Sequence, residues 1–430
     1  MGRRMGLISL IVLFLLLIGV DCVYAEEAKI DTGDTAWLIV ATAFVMLMTF
    51  PGLALFYGGI TKKGSVLNTI AMVIVTYGIV SVLWVIYGYS LAFCGDVKGI
   101  IGTLSNLFLK NITLESVSGT VPEYIFVAFQ LTFAAITVAL ITGALVERLN
   151  FSAWLVFCVL WFTLVYVPIA HWVWGGGFLS EKGIVDFAGG LVVHISSGIA
   201  ALVACLLLGK RKEPKLIPNN LVITVIGTGL LWFGWFGFNA GSALASNSLA
   251  TLAFLNTNTA TALAALSWAF TEWITTRKFG VLGFCTGAIA GLVAITPAAG
   301  FVNIKGAMVI GILAGIVCYF MVTAVKTKLG YDDALDVMGV HGGGGIVGSI
   351  LTGIFADPKV GGVAGLFYGN PKLLLNQILG VIVVIIYVAV VTAIIFSIIK
   401  AIMPVRASER EEMAGLDIPY HGERAYDIVE

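Results

Sequence analysis

Apolar runs of roughly twenty residues recur along almost the whole chain, separated by short polar turns, and this one feature restricts the fold more than any other. A run of that length matches the ~30 Å hydrocarbon thickness of a bilayer when helical. Inside a bilayer the backbone must satisfy its own hydrogen bonds, so each run is expected to be a helix. The chain is 59% hydrophobic and 11% charged, with a mean hydropathy of +1.03. Those values exclude an ordinary soluble domain. A formal net charge of zero leaves no basic patch for nucleic acid.

The runs lie near 36–60, 67–93, 122–146, 152–174, 189–208, 220–240, 252–275, 281–300, 304–325, 338–356 and 376–402. They predict an all-α polytopic membrane protein of eleven transmembrane helices, with the membrane domain covering 26–402. Placing the mature N-terminus outside puts fifteen Lys and Arg on inner segments and seven on outer ones, which favours N-out, C-in. Residues 1–25 read as a signal peptide: Arg3 and Arg4 precede the apolar run Leu7 to Val20, and Val23-Tyr24-Ala25 resembles a cleavage site. The alternative is an uncleaved first helix. Residues 403–430 are charged, contain Pro404 and Pro419, and are expected to form a cytoplasmic tail of low intrinsic structure. Cys94, Cys158, Cys205, Cys285 and Cys318 lie in or beside apolar stretches with no CxxC pair, so neither a disulfide nor a metal site is expected.

His194 and His341 each stand inside one of these uncharged, glycine-rich segments. An ionisable side chain at bilayer depth tends to face the bundle interior or an aqueous path. The surroundings of the two recur: FPGLALFYGG from Phe50 and WFGWFGFNAG from Trp232 share the pattern F/W-x-G-x-x-x-F-x-x-G, in the first and sixth spans. His194 and His341 occupy the fifth and tenth, and each follows an acidic residue within ten positions, Asp186 and Asp336. A five-plus-five inverted repeat accounts for this, and brings the two imidazoles together near the midplane.

The run from Asp186 to Gly198, DFAGGLVVHISSG, closely resembles the signature of the ammonium transporter (Amt) family. The resemblance extends through FQLTFAAITVALITGALVER from Phe129, HWVWGGG ending at Gly177, WFGFNAGSAL from Trp235 and DDALDVMGVHGGGG from Asp332, in order along nearly the whole chain. It implies an ammonium transporter in the plasma membrane, not an enzyme and without a cofactor, assembled as a homotrimer with one pore per protomer. By the same resemblance Phe133, Trp174 and Ser242 form an outer ammonium site of aromatic faces and a hydroxyl. Phe133 and Phe238 form an apolar gate, Phe129 and Trp235 line the vestibule and pore, and His194 and His341 form a twin-histidine pair. Asp186 is expected to cap the fifth span and to aid recruitment indirectly. Asp333 and Asp336 either cap the tenth span or line the inner vestibule. Taken alone, Trp174 would read as an interfacial belt residue, and Trp172 does so read. Ammonium losing a proton outside and crossing as ammonia is the expected mechanism, with net proton transfer over the histidines; an electroneutral ammonia channel is the alternative. A sensor signalling through the tail is a further alternative, and the resemblance implies a PII-type signalling protein as a partner at the inner face. Glu411, Glu412, Tyr420 and Arg424 are candidate contacts for it.

Overall fold

The computed structural model describes residues 29–215 and 217–426, so the expected signal peptide lies outside the described residues. Ten helices among them are long and apolar enough to cross a membrane: α1 Thr32–Ile60, α2 Lys63–Phe93, α3 Glu123–Leu145, α4 Phe151–Glu181, α5 Gly190–Leu208, α6 Leu221–Gly241, α7 Ser248–Thr276, α9 Ile304–Leu329, α10 Met338–Phe355 and α11 Pro371–Ile402. Between α7 and α9 lies the shorter apolar helix α8, Val281–Ile295. The sequence reading carried this span to residue 300. The helix stops earlier because Pro297 lacks an N–H, and 296–302 close instead as tight turns, with Phe301 and Val302 both donating to the Ala298 carbonyl. The end that carries Trp174 and Ser242 is called outer below, following the charge distribution.

Asn and Asp side chains begin many of these helices, supplying acceptors for N–H groups that have no partner in the first turn. Asp31 accepts from Asp34, Asn150 from Ser152, Asn220 from Ile223, Asn247 from Ala250 and Asn303 from Lys305 and Gly306. A two-stranded hairpin, β1 Val117–Ser118 with β2 Val121–Pro122, leads into α3.

Small residues decide how closely the helices cross. A Cβ on Gly227 of α6 would stand 2.7 Å from the Phe56 Cα of α1, and one on Gly59 of α1 would stand 2.7 Å from the Asn220 carbonyl oxygen. Gly198 of α5 lies directly against Gly342 of α10, and Gly345 of α10 packs beside His194. The first and sixth helices thus pair, as do the fifth and tenth, which is the arrangement an inverted repeat requires. α3 and α5 are the most enclosed of the ten, with 83% and 78% of their apolar windows buried, and they carry Phe133 and His194.

The segment after α11 departs from the expectation of low structure. It folds as α12, Glu409–Ala414, and α13, Asp417–His421, across the inner end. Ser408 and Glu411 form a reciprocal capping box at α12. Arg406 pairs with the buried Glu412 carboxylate at 2.8 Å, and Lys62 reaches the Glu412 carbonyl. Asp417 accepts from the Asn68 N–H at 2.8 Å, so a tail residue caps the start of α2. Beneath the tail, the buried Arg211 bridges Glu147 at 2.9 Å and Asp332 at 2.8 Å, while Arg148 donates to the Asp332 carbonyl at 2.6 Å. These bonds tie three inter-helix segments together.

Candidate functional site

Three aromatic rings separate the outer surface from the molecule's centre. Trp174 ends the regular part of α4, and its indole N–H donates to the Asp186 carbonyl at 2.9 Å, fixing the ring plane. Phe133 of α3 meets it edge-on, at 5.9 Å between centroids and 87° between planes. Phe133 also stacks on Phe238 of α6 at 4.1 Å and 21°. That separation is ring-on-ring contact, and both rings are at most 1% exposed.

Above the stack lies a cavity of about 260 Å³ whose walls include Phe93, Phe129, Phe133, Trp174, Gln130 and Ser242. Its surfaces are largely aromatic faces, which attract cations through the ring quadrupole without offering a charge. The Ser242 hydroxyl is half-buried and donates to the Phe238 carbonyl at 2.8 Å, leaving its oxygen lone pairs as acceptors. Gln130 adds a polar atom that the sequence reading did not single out: its side-chain oxygen Oε1 is buried with no hydrogen-bond partner. Such an atom is costly unless something donates to it. Its signal in the sequence was a lone amide in the apolar run between Phe129 and Phe133.

Below the stack, His194 of α5 and His341 of α10 face each other with 3.2 Å between their Nδ1 atoms. Both are buried, at 1% and 4% exposure. Two facing ring nitrogens at this distance share one proton, one donating and the other accepting. Trp235 stacks on His194 at 5.4 Å, and its own N–H is taken by Thr296 Oγ1 at 2.9 Å. The indole therefore packs on the imidazole plane with its own N–H already bonded to Thr296. His194 Nε2 is buried without a partner. On the inner side of His341 a cavity of about 30 Å³, room for a water-sized molecule, is lined by Phe56, Tyr57, Asp336 and Val340. Phe56 occupies in α1 the repeat position that Phe238 occupies in α6, so the shared motif was a signal for it.

The acidic residues separate by what they bond. Asp186 is almost fully buried, and its carboxylate accepts from four backbone N–H groups: Gly189 at 2.9 Å, Gly190 at 2.6 Å, Leu191 at 2.7 Å and Val192 at 3.2 Å. It caps α5, and Gly189 turns the chain into that helix at a φ of 118°, a conformation open to glycine. Asp333 does the same for α10, accepting from the Met338 N–H at 2.6 Å. Asp333 stands eight residues before His341, as Asp186 does before His194. The repeat partner of Asp186 is therefore Asp333, a correction to the pairing with Asp336. Asp336 instead bonds Lys326 at 2.5 Å and lines the inner cavity.

Two further expectations change. Trp172 is buried, donates to the Ile100 carbonyl at 2.7 Å and packs on Tyr387 at 4.5 Å, which makes it a packing residue and not an interfacial one. Glu412 is 2% exposed and paired with Arg406, and Glu411 is used by the capping box, so neither acid is free to meet a partner.

Comparison with known proteins is consistent along the whole chain. The model of the Ammonium Transporter Family matches residues 36–426. An ammonium transporter of Aquifex aeolicus (strain VF5) is 54% identical over 427 residues, covering 99% of this chain and 100% of that protein. One from Bacillus subtilis (strain 168) is 50% identical over 399 residues, covering 92% and 98%. Among solved structures, Candida albicans Mep2 superposes with a TM-score of 0.84 at 38% identity, covering 93% of this chain and 91% of that one. A structure described as a sensor Amt protein gives a TM-score of 0.84 at 29% identity, covering 90% and 98%.

Proposed function

The chain belongs to the Ammonium Transporter Family as a multi-pass membrane protein that transports ammonium, and from this premise we propose how its residues do so. Ammonium binds in the outer cavity, against Trp174 and Phe133, with Ser242 accepting one N–H. The single observation that carries the reading is the order of layers: aromatic cavity, phenylalanine stack, then paired imidazoles. Potassium resembles ammonium in size, so an opening of fixed width would pass both. An apolar stack separates them chemically, since ammonium alone can leave a proton behind and cross as a neutral molecule.

Phe133 and Phe238 swing aside to admit ammonia, and His194 and His341 receive it in a lumen otherwise lined by carbon. A neutral pair presents one unused ring nitrogen on each side, so ammonia is held by hydrogen bonding while it passes. The same pair relays the proton released outside, because the shared Nδ1···Nδ1 hydrogen bond allows it to change partners. Net transfer is then one positive charge, driven inward at ~2.3 kcal/mol per 100 mV of negative interior potential. Asp186 acts by holding the first turn of α5 in place, and Asp333 does so for α10. Asp336 with Lys326 keeps the inner vestibule polar.

The family resemblance implies a homotrimer, in which each protomer would carry its own gate and pore side chains, and the charge distribution favours N-out, C-in. The docked tail presents exposed Arg424, Met413 and Ile418 at the inner end, where a PII-type protein would bind. The likeness to a structure described as a sensor supports a second reading in which this surface reports ammonium occupancy.

The test is solid-supported membrane electrophysiology on proteoliposomes, with His194→Ala and Phe238→Ala beside the parent protein. Electrogenic transport predicts a saturable current after an ammonium jump, none with potassium, and a current altered by His194→Ala. Absence of current together with a rapid internal pH rise would show ammonia conduction without the proton. Ammonium binding with neither signal would replace transport by sensing.

A further inference from the structure

His171, fully buried on α4, has an acceptor at each ring nitrogen: Nδ1 lies 3.0 Å from the Ala92 carbonyl oxygen and Nε2 lies 2.9 Å from Asp96 Oδ1. A backbone carbonyl and an ionised carboxylate only accept, whereas a neutral imidazole has one N–H. Both contacts are made together only when the ring carries two protons. Turning the ring over places carbon atoms against both oxygens and makes neither bond. Asp96 is held as an acceptor from its other side too, since the Gly99 N–H lies 2.8 Å from Oδ1 and 3.0 Å from Oδ2. The bond from His171, and after it the Gly99 N–H, hold the Asp96 carboxyl below the usual carboxylate range.

The position of this ring gives it a consequence for the outer cavity. Ala92 immediately precedes Phe93, which lines the cavity from α2. His171 stands one turn before Trp174, and its carbonyl accepts from Gly175 and Gly177, each at 3.0 Å, to end the helix there. One ring therefore joins the last turn of α2, the 94–103 segment and the last turn of α4. Phe178 N–H to the Gly99 carbonyl at 3.0 Å closes the same seam. Of the charged groups around it, Glu123 of α3 accepts from the Tyr89 hydroxyl at 2.7 Å and Lys98 is exposed. α2 presents its Ala92 carbonyl, and α11 reaches the seam through Tyr387 on Trp172. Among the described residues, Asp96 is the charged partner that the ring has.

We propose that His171 is a positioning residue whose proton, shared with Asp96, clamps two walls of the outer mouth and ties apparent ammonium affinity to external pH. The proposal rests on reading the outer cavity as the ammonium site. When the proton leaves, one of the two acceptors loses its donor, the seam loosens, and the cavity walls carrying Phe93 and Trp174 are no longer tied together. Affinity is then high while the ring donates to both acceptors and lower when one of those bonds is lost.

The test is the ammonium concentration giving half-maximal current in proteoliposomes, measured at outer pH values from 5.5 to 8.5 for the parent, Asp96→Asn and His171→Ala. In Asp96→Asn the amide donates to a neutral Nε2 while Nδ1–H still donates to Ala92, so the clamp survives without its proton. We expect the parent value to rise about three- to tenfold with pH, as one hydrogen bond is worth. Asp96→Asn should hold a low value throughout, and His171→Ala a high one throughout. Titration of His194 and His341 is common to the parent and Asp96→Asn, so the difference between their profiles isolates the pair. Superimposable profiles for the parent and Asp96→Asn would overturn the proposal, whether or not His171→Ala folds. Trp174→Ala with unchanged affinity would instead overturn the cavity reading on which it rests.

Discussion

Replacing Asp186 by Asn changes one oxygen into an NH₂ group and leaves the volume almost unaltered. In the parent each carboxylate oxygen accepts two backbone N–H groups from the first turn of α5. The amide keeps one acceptor, so two N–H groups lose their partner and a third donor is pushed against them. Each bond to a charged acceptor is worth about 1.5–3 kcal/mol, and each orphaned buried donor costs about 1–3 kcal/mol. Those figures overlap, since they count the same loss from two sides, and the parent also bears the cost of burying a charge. A net destabilisation of about 2–4 kcal/mol follows, confined to the entrance of α5 and therefore to the orientation of His194. The measurement is equilibrium unfolding in mixed detergent, paired with ammonium current in proteoliposomes. We expect both to fall together, and Asp186→Glu to recover part of each. A variant with parental stability and a raised half-saturation concentration would refute the architectural role, because it would place the charge on the ammonium ion and not on the helix.

Gln130→Leu removes the unpartnered acceptor in the outer cavity, and the half-saturating ammonium concentration should rise about three- to tenfold; steady-state uptake of labelled methylammonium by competition reads this. Arg406→Ala leaves the buried Glu412 carboxylate without its charged partner and held by the Lys212 N–H alone, a loss of up to about 3 kcal/mol of tail docking; limited proteolysis should then cut within 409–421, where the parent resists. Asp332 is raised by burial but carried below the usual carboxylate range by Arg211. A carboxyl depressed in the folded state contributes stability above its unfolded pKa of about 3.9, and loses it as pH falls through the folded value. The melting-temperature gap between the parent and Asp332→Asn should therefore stay constant from about pH 8 to 5 and close only below about pH 4.

Span positions could be read from residues alone because a bilayer imposes a length and an apolar surface on each helix, independent of its neighbours. Predicted boundaries fall within five residues of a helix end except at α4, which runs on to Glu181; α8 stops five residues short of its predicted end because Pro297 halts a helix that composition would continue. The motif F/W-x-G-x-x-x-F-x-x-G likewise carried its meaning locally, since glycine spacing dictates which face another helix can approach.

What the residues could not disclose was the direction and partner of individual polar groups. Asp333 and Asp336 look equivalent in the chain, yet one caps α10 and the other bonds Lys326. Trp172 and Trp174 are two positions apart, and only the second reaches the cavity, because they point to different neighbours around the helix. The charged tail reads as solvated until Lys212, Lys62 and Asn68, from distant segments, supply its partners. The apolar pattern of this chain determined that it spans a membrane, where it turns and which helices pair; hydrogen bonds between residues as much as 353 positions apart decided which polar groups are structural and which stay open to a ligand.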